Sequence, residues 1–414
     1  MGGLPALTRA DPALRDVPER RQFRLLMTAE TLSLFGDQLL GVALPLYAFD
    51  HLGGATASVM ILLARVIPLG LLGVWGGVVA DRVDRRRLLV AVGLLRAALV
   101  LPLLALGGGG LVLMIAVVFG LAASGQLAGP AVGASLPAVV SPEDLPSANA
   151  RLAARTVLVG LLAPTLGAVV YAGPGLTAVL VLNVMLYVLG SAVARMLELP
   201  QSKREGSGAG LVADLVVGVR VLAVDPMLRW LLVVVTVAMF GLAVELAVLV
   251  PFIREVLDGS PTAVGALTTV QAVGGLFGAA LVPVIARRRG PQFLIQVGVL
   301  GLPVAAIGFL ASQRVWQAVP GVLMAGVLVT VLYAGAQTYL QRTVPTAYLG
   351  RVLGVIASAF GLASMAGTGL AAALTQVMSL RDCLKVAAAV ELAAVLVWTM
   401  RSAAVRRRAV APGP

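Results

Sequence analysis

Charge is scarce in this chain: only 12% of its 414 residues are Asp, Glu, Lys or Arg, whereas 59% are apolar and the mean hydropathy is +0.99. That balance excludes a water-soluble globular protein. One cysteine, Cys383, excludes a disulfide framework within the chain, and one histidine, His51, excludes a His-based metal site. Aromatics amount to 5%, too few for a sugar site built on ring stacking. No G-x-x-x-x-G-K-[ST] segment occurs, so the chain should not hydrolyse a nucleotide, and no cofactor is expected. The first 24 residues lack the apolar core of a signal peptide, so cleavage for secretion is not expected. The formal charge of +12 would raise the question of nucleic acid in a soluble protein. Here the charges sit in short loops and read as topology, with no nucleic-acid partner expected.

What is present is long apolar runs. Breaks at charged, Gly and Pro residues predict twelve transmembrane helices near 25–49, 57–79, 88–106, 111–133, 152–172, 176–197, 228–251, 262–286, 292–312, 316–340, 350–375 and 383–401. Basic residues test this reading, because Lys and Arg gather on the cytoplasmic loops. The outer loops hold only Arg254, Arg314, Arg381 and Lys385, and Arg65 and Arg96 fall within spans; the other basic residues lie on the alternate loops and the two tails. An even number of spans with both termini cytoplasmic follows, in a cell membrane. The scarcity of lysine, with only Lys203 and Lys385, together with the Ala, Val, Leu and Gly content, suggests a GC-rich bacterial genome.

The longest break runs from Leu199 to Trp230 and divides the chain into a cytoplasmic segment (1–24), a six-helix bundle (25–198), a linker (199–227), a second six-helix bundle (228–402) and a tail (403–414). Within the linker, VADLVVGVRVLAV carries Asp214 and Arg220, with Asp225 just beyond it, and reads as a surface-lying amphipathic helix rather than a thirteenth span. Six plus six is the layout of transporters made of two related bundles, with a site near the midplane between them.

The segment after the second span reads Gly77-Val-Val-Ala-Asp81-Arg82-Val-Asp84-Arg85-Arg86-Arg87-Leu88. It resembles the loop motif G-x-L-A-D-R-x-G-R-K of the major facilitator superfamily, with Asp84 where the motif has its second glycine. Arg287-Arg288-Arg289-Gly290 is the weaker counterpart in the second half. The resemblance implies an all-α membrane fold of two pseudo-symmetric six-helix bundles. It also implies a conformational latch in which Asp81 engages the helix start at Gly350-Arg351, where free amides and the helix dipole favour a carboxylate. LPAVVSPEDLPSANARLAART, VADLVVGVRVLAVDPMLR, QRTVPTAYLGRVLGV and ETLSLFGDQLLGVALPLYAF further resemble the bacterial efflux branch that contains macrolide and enterobactin exporters. Pro164 and Gly167 stand in a degraded copy of the G-P-x-x-G-G antiporter motif, although small residues around a proline also serve plain helix packing.

Ionisable groups within hydrocarbon are costly and therefore candidates for function. Glu30, Ser33 and Asp37 recur at i, i+3 and i+7 and share one helix face. Asp37 lies too deep to reach water outside the protein, whereas Glu30 could reach the interface. Glu245 occupies the corresponding span of the second half, where a lone carboxylate suits a group that binds and releases a proton. Arg65 and Arg96 are candidate charge partners for these acids, Arg96 in a structural pair; Glu391 reads as structural. Thr330, Tyr333 and Gln337 form a polar stripe, and Gln126, Thr268 and Gln271 add hydrogen-bonding groups. Few charges among Leu, Val and Ala suit amphiphilic substrates. One departure is that the fourth span, VVFGLAASGQLAG, lacks the arginine of the R-x-x-q-G pattern found in many proton-driven drug antiporters of the superfamily.

The functional expectation is a proton-coupled exporter of small amphiphilic compounds such as drugs, working as a monomer amid membrane lipid. A dedicated exporter of a native metabolite such as a siderophore is the alternative. A membrane-embedded lipid-modifying enzyme is a remote one, since the single histidine stands alone in the segment Asp50-His51-Leu52-Gly53.

Overall fold

Each apolar run between breaks becomes a helix, because no backbone group can remain unpaired in lipid. The computed structural model describes residues 19–140, 145–198 and 211–410; the side chains of 19–20, 73–82, 134, 137–138, 146, 150, 211–215, 226, 346–347, 350 and 400–410 lie outside that description. In the first half the helices are α1 (Glu19–His51), α2 (Gly54–Arg82), α3 (Arg85–Ala105), α4 (Leu111–Val139), α5 (Leu145–Ala172) and α6 (Leu176–Ala194). A short α7 (Leu211–Val224) precedes α8 (Pro226–Pro251), α9 (Pro261–Arg289), α10 (Pro291–Leu310), α11 (Val315–Thr343), α12 (Thr346–Leu374) and α13 (Leu380–Val410). Among the described residues there is no strand.

Eleven of these helices are long and apolar enough to cross a membrane. The remaining long one, α13, begins with Arg381, Asp382 and Lys385 and packs on α8 and α10 as the sixth helix of the second half. At 14 residues, α7 reaches about 21 Å at 1.5 Å per residue, short of the hydrocarbon core. It lies instead on α12, where a β-carbon on Gly218 would stand 2.7 Å from the Arg351 carbonyl oxygen. Several helices outrun the predicted spans, α1 beginning at Glu19 and α13 continuing to Val410, since charged residues leave the membrane without ending the helix.

Local chemistry sets the helix starts. Asp84 caps α3, its carboxylate accepting the Arg87 amide at 2.8 Å, which accounts for an acid where the loop motif carries glycine. Asp225 caps α8 in the same way, accepting the Met227 amide at 2.7 Å ahead of Pro226 in the first turn.

Within each half the helices pack as a bundle, α1 against α2, α5 and α6, and α8 against α12 and α13. The halves meet along two seams, α2 with α12 and α5 with α9. Small residues make both seams. A β-carbon on Gly361 would lie 3.0 Å from the Leu69 carbonyl oxygen, and one on Gly265 would lie 2.7 Å from the Ala168 β-carbon.

Candidate functional site

The first half encloses a cavity of about 390 Å³ to which each of its six helices contributes: Asp37 from α1, Arg65 from α2, Arg96 from α3, Gln126 from α4, Arg155 from α5 and Tyr187 from α6. Glu30 and Ser33 also line it, so the face predicted on α1 opens into this space.

Asp37 anchors its polar wall. Arg96 Nη1 lies 3.2 Å from Asp37 Oδ2, and the Tyr187 hydroxyl donates to Asp37 Oδ1 at 2.6 Å. Arg96 Nε donates to Ser124 Oγ at 2.9 Å, and its guanidinium stands 5.8 Å from the centre of the Tyr187 ring. The pair is therefore hydrogen-bonded on several sides, the condition under which a buried ion pair is tolerated.

Arg65 behaves differently from its sequence assignment as a charge partner. Its Nη2 donates to the neutral Gln38 Oε1 at 3.0 Å, and no described carboxylate lies within ion-pairing reach of it. The reason is register: Arg65 meets α1 at Gly41, whose missing side chain makes the room that Nη1 fills. Arg155, a cytoplasmic-side charge at the start of the fifth predicted span, lines the cavity, its Nε and Nη1 buried without a hydrogen-bond partner. Its position eleven residues into α5 was the available signal. Glu30 is its nearest electrostatic counterpart, without a bond between them.

The polar residues assigned in the second half do not line this cavity. Glu245 is buried on α8 at 7% exposure, with no hydrogen bond or ion pair from the described residues. One turn away, Gly241 leaves room for Glu391 of α13, whose Cγ would be 2.7 Å from a β-carbon there and whose carboxyl oxygens have no partner. Thr268 bonds back to the Val264 carbonyl at 2.8 Å. Gln271 touches Gly326 through its carbonyl, and Thr330 lies against Gly275. Gln337 donates to the Tyr333 hydroxyl at 3.0 Å. These groups serve packing between α9 and α11 or stand outside the cavity.

Pro164 and Gly167 lie where α5 meets both α1 and α9. A β-carbon on Gly167 would be 2.7 Å from the Leu39 carbonyl oxygen, and the Pro164 carbonyl oxygen is 3.1 Å from the β-carbon position of Gly265. Beside them the Thr165 and Thr269 hydroxyls are 2.6 Å apart across the seam, and Thr269 donates to the Leu161 carbonyl at 2.7 Å.

At the end of the molecule where α1, α5 and α8 finish, Asp50 gathers a cross-half cluster. Arg254 Nη2 pairs with Asp50 Oδ1 at 2.8 Å, and the Tyr171 hydroxyl donates to Asp50 Oδ2 at 2.7 Å. Arg254 sits in a π-helical turn, Phe252–Val256, that follows α8. Sequence reading had placed it in a loop. Gly77 and the side chains of Asp81 and Arg82 lie outside what the structure describes; Arg85 and Arg86 open α3, and Arg351 lies in the second turn of α12.

The Major Facilitator Superfamily profile matches residues 26–368 and 246–411. The chain belongs to that superfamily. It is 25% identical to macrolide efflux protein A of Streptococcus pyogenes over 360 residues, 85% of this chain and 88% of that protein. It is also 25% identical to the protein of the same name from Enterococcus faecalis over 325 residues, 76% of this chain and all of that one. Among solved structures, the nucleoside transporter NupG superposes with a TM-score of 0.75 at 11% identity, covering 91% of this chain and 99% of that one. A bacterial homologue of the iron transporter ferroportin in its inward-facing state gives 0.72 at 17% identity, covering 92% and 98%. As a superfamily member with transporter-fold neighbours, the chain is a multi-pass membrane transporter and not an enzyme.

Proposed function

We propose that this transporter exports small amphiphilic compounds from the bacterial cytoplasm across the cell membrane by alternating access, as an antiporter that admits protons in return. The observation that carries the reading is the cavity itself: a half-open, mostly apolar space with a few fixed charges, including Leu34, Leu44, Val66 and Leu121 beside Asp37 and Arg96. Relatives named as macrolide efflux proteins support the direction of transport.

Alternating access is supported by how the halves touch. Small residues bring α2 against α12 and α5 against α9, the seams on which the halves would shift, while the Asp50–Arg254 pair closes one end. With the basic loops placed in the cytoplasm, that closed end faces outward and both termini face inward. The Asp81 latch at Arg351 belongs to the opposite end.

Coupling would use carboxyls at membrane depth. Asp37 is paired with Arg96 at the cavity wall, Glu30 faces the same cavity, and Glu245 is buried with no cation beside it. Everted vesicles from a strain lacking its own pumps test this with a cationic dye, ethidium or a bis-benzimide, alongside an amphiphilic anion such as carboxyfluorescein. Dye should accumulate with an imposed pH gradient and not without it, and Asp37→Asn should abolish accumulation. Gradient-independent accumulation, or gradient-driven uptake surviving the combined Asp37→Asn and Glu245→Gln changes, would sink the coupling assignment. No dye movement by folded protein would favour the dedicated exporter of a native metabolite.

A further inference from the structure

The charges around the cavity do not balance. Three arginines, Arg65, Arg96 and Arg155, face two acids, Glu30 and Asp37. Asp37 is committed to Arg96 at 3.2 Å and to the Tyr187 hydroxyl. Glu30 is the nearest counter-charge of Arg155, although no bond joins them. That leaves Arg65, which is held only by the amide oxygen of Gln38.

With only a neutral amide as its partner, the Arg65 guanidinium keeps its full charge and turns its remaining donors to the cavity it lines, where an anionic group can take them in charge-assisted hydrogen bonds. Its position is also built. Gly41 on the facing helix is the one residue type that lets the Arg65 head cross from α2 to α1 at this height, so the sequence keeps the charge pointed into the cavity. Next to it lie Leu44, Ile61, Val66 and Leu69, an apolar surface for the remainder of a ligand.

We propose that this cavity selects amphiphilic anions, seating a carboxylate, sulfonate or phosphate group on Arg65 with the apolar body along α1, α2 and α4. The inference rests on the cavity being the substrate site of the proposed exporter and narrows its cargo by charge. It requires neither export nor proton coupling to be tested.

The experiment is equilibrium binding to the full chain in nanodiscs of phosphatidylcholine, read by fluorescence anisotropy against empty discs. Two probes share a xanthene core: carboxyfluorescein, an anion, and rhodamine 6G, a cation. A charge-assisted contact corresponds to a preference of about tenfold or more for the anion. Arg65→Gln should remove the preference, Arg65→Lys should keep part of it, and Gly41→Ala, which displaces the guanidinium without removing its charge, should weaken it. Equal binding of the two dyes, tighter binding of rhodamine 6G, or an anion preference unchanged in monodisperse Arg65→Gln protein overturns the proposal. Adding phosphatidylglycerol to the discs distinguishes the source of the anion: carboxyfluorescein should stay bound, whereas its displacement would assign the site to a lipid headgroup and overturn the solute reading. Charge-selective binding without gradient-driven dye transport would leave this inference standing and refute the coupling mechanism alone.

Discussion

Asp50 and Arg254, 204 positions apart in sequence, pair at 2.8 Å and tie the two halves of the transporter together at one end. Both side chains are about four-fifths buried, and Tyr171 donates to the free carboxylate oxygen. In the alternating-access cycle proposed above, this contact is a gate that must break each time that end opens.

Asp50→Asn and Arg254→Gln should each favour the open gate. A double-mutant cycle on a closure readout, such as crosslinking between cysteines placed near 49 and 256, should give a coupling energy of about 1 kcal/mol. Additive effects of the two changes would mean that the pair contributes nothing to closure.

Arg96 and Asp37 form the buried pair, and removing one partner should cost more than removing both. Arg96→Leu leaves the Asp37 carboxylate with only the Tyr187 hydroxyl. A loss of about 3 kcal/mol is expected, seen as a large fall in Tm in detergent. The double change Arg96→Leu with Asp37→Asn should recover most of that loss, though not transport.

Glu245→Gln removes a carboxyl that no described residue pairs with, so the protein should fold with Tm near wild type. Gradient-driven accumulation should be lost while exchange of external for internal dye at equal pH continues. Retention of gradient-driven accumulation would move coupling elsewhere.

Gly167→Ala adds a methyl group where 2.7 Å separates it from the Leu39 carbonyl oxygen, backbone that cannot swing away. A loss of about 1–3 kcal/mol is expected from overpacking. Gly160→Ala, a position on the same helix with open space around it, is the control and should be tolerated in a thermal unfolding series.

The helices were legible because hydrocarbon permits little else, and the linker helix because its charges interrupt a run too short to span. The shared face of Glu30, Ser33 and Asp37 was legible from spacing alone. What spacing could not supply was partnership across helices. Arg65 finding Gln38 instead of an acid depends on Gly41, 24 residues away and unremarkable in sequence. Arg155 counts as a cytoplasmic charge at the start of the fifth predicted span because its inward direction is not written in spacing, and Arg254 falls in a predicted loop because the helix continues past the apolar stretch through a π-helical turn. The stripe Thr330, Tyr333 and Gln337 has regular spacing, yet α11 turns it away from the first-half cavity.

The placement of Arg65, Arg96 and Arg155 in one half has an electrical consequence. With Glu30 and Asp37 ionised, that half carries a net positive charge within the membrane, and moving one elementary charge through the full field is worth about 2.3 kcal/mol per 100 mV. In the proposed alternating-access cycle, any displacement of the first half along the membrane normal would therefore be electrogenic even with the cavity empty, and the return of the unloaded transporter would be driven by voltage in one direction and opposed by it in the other.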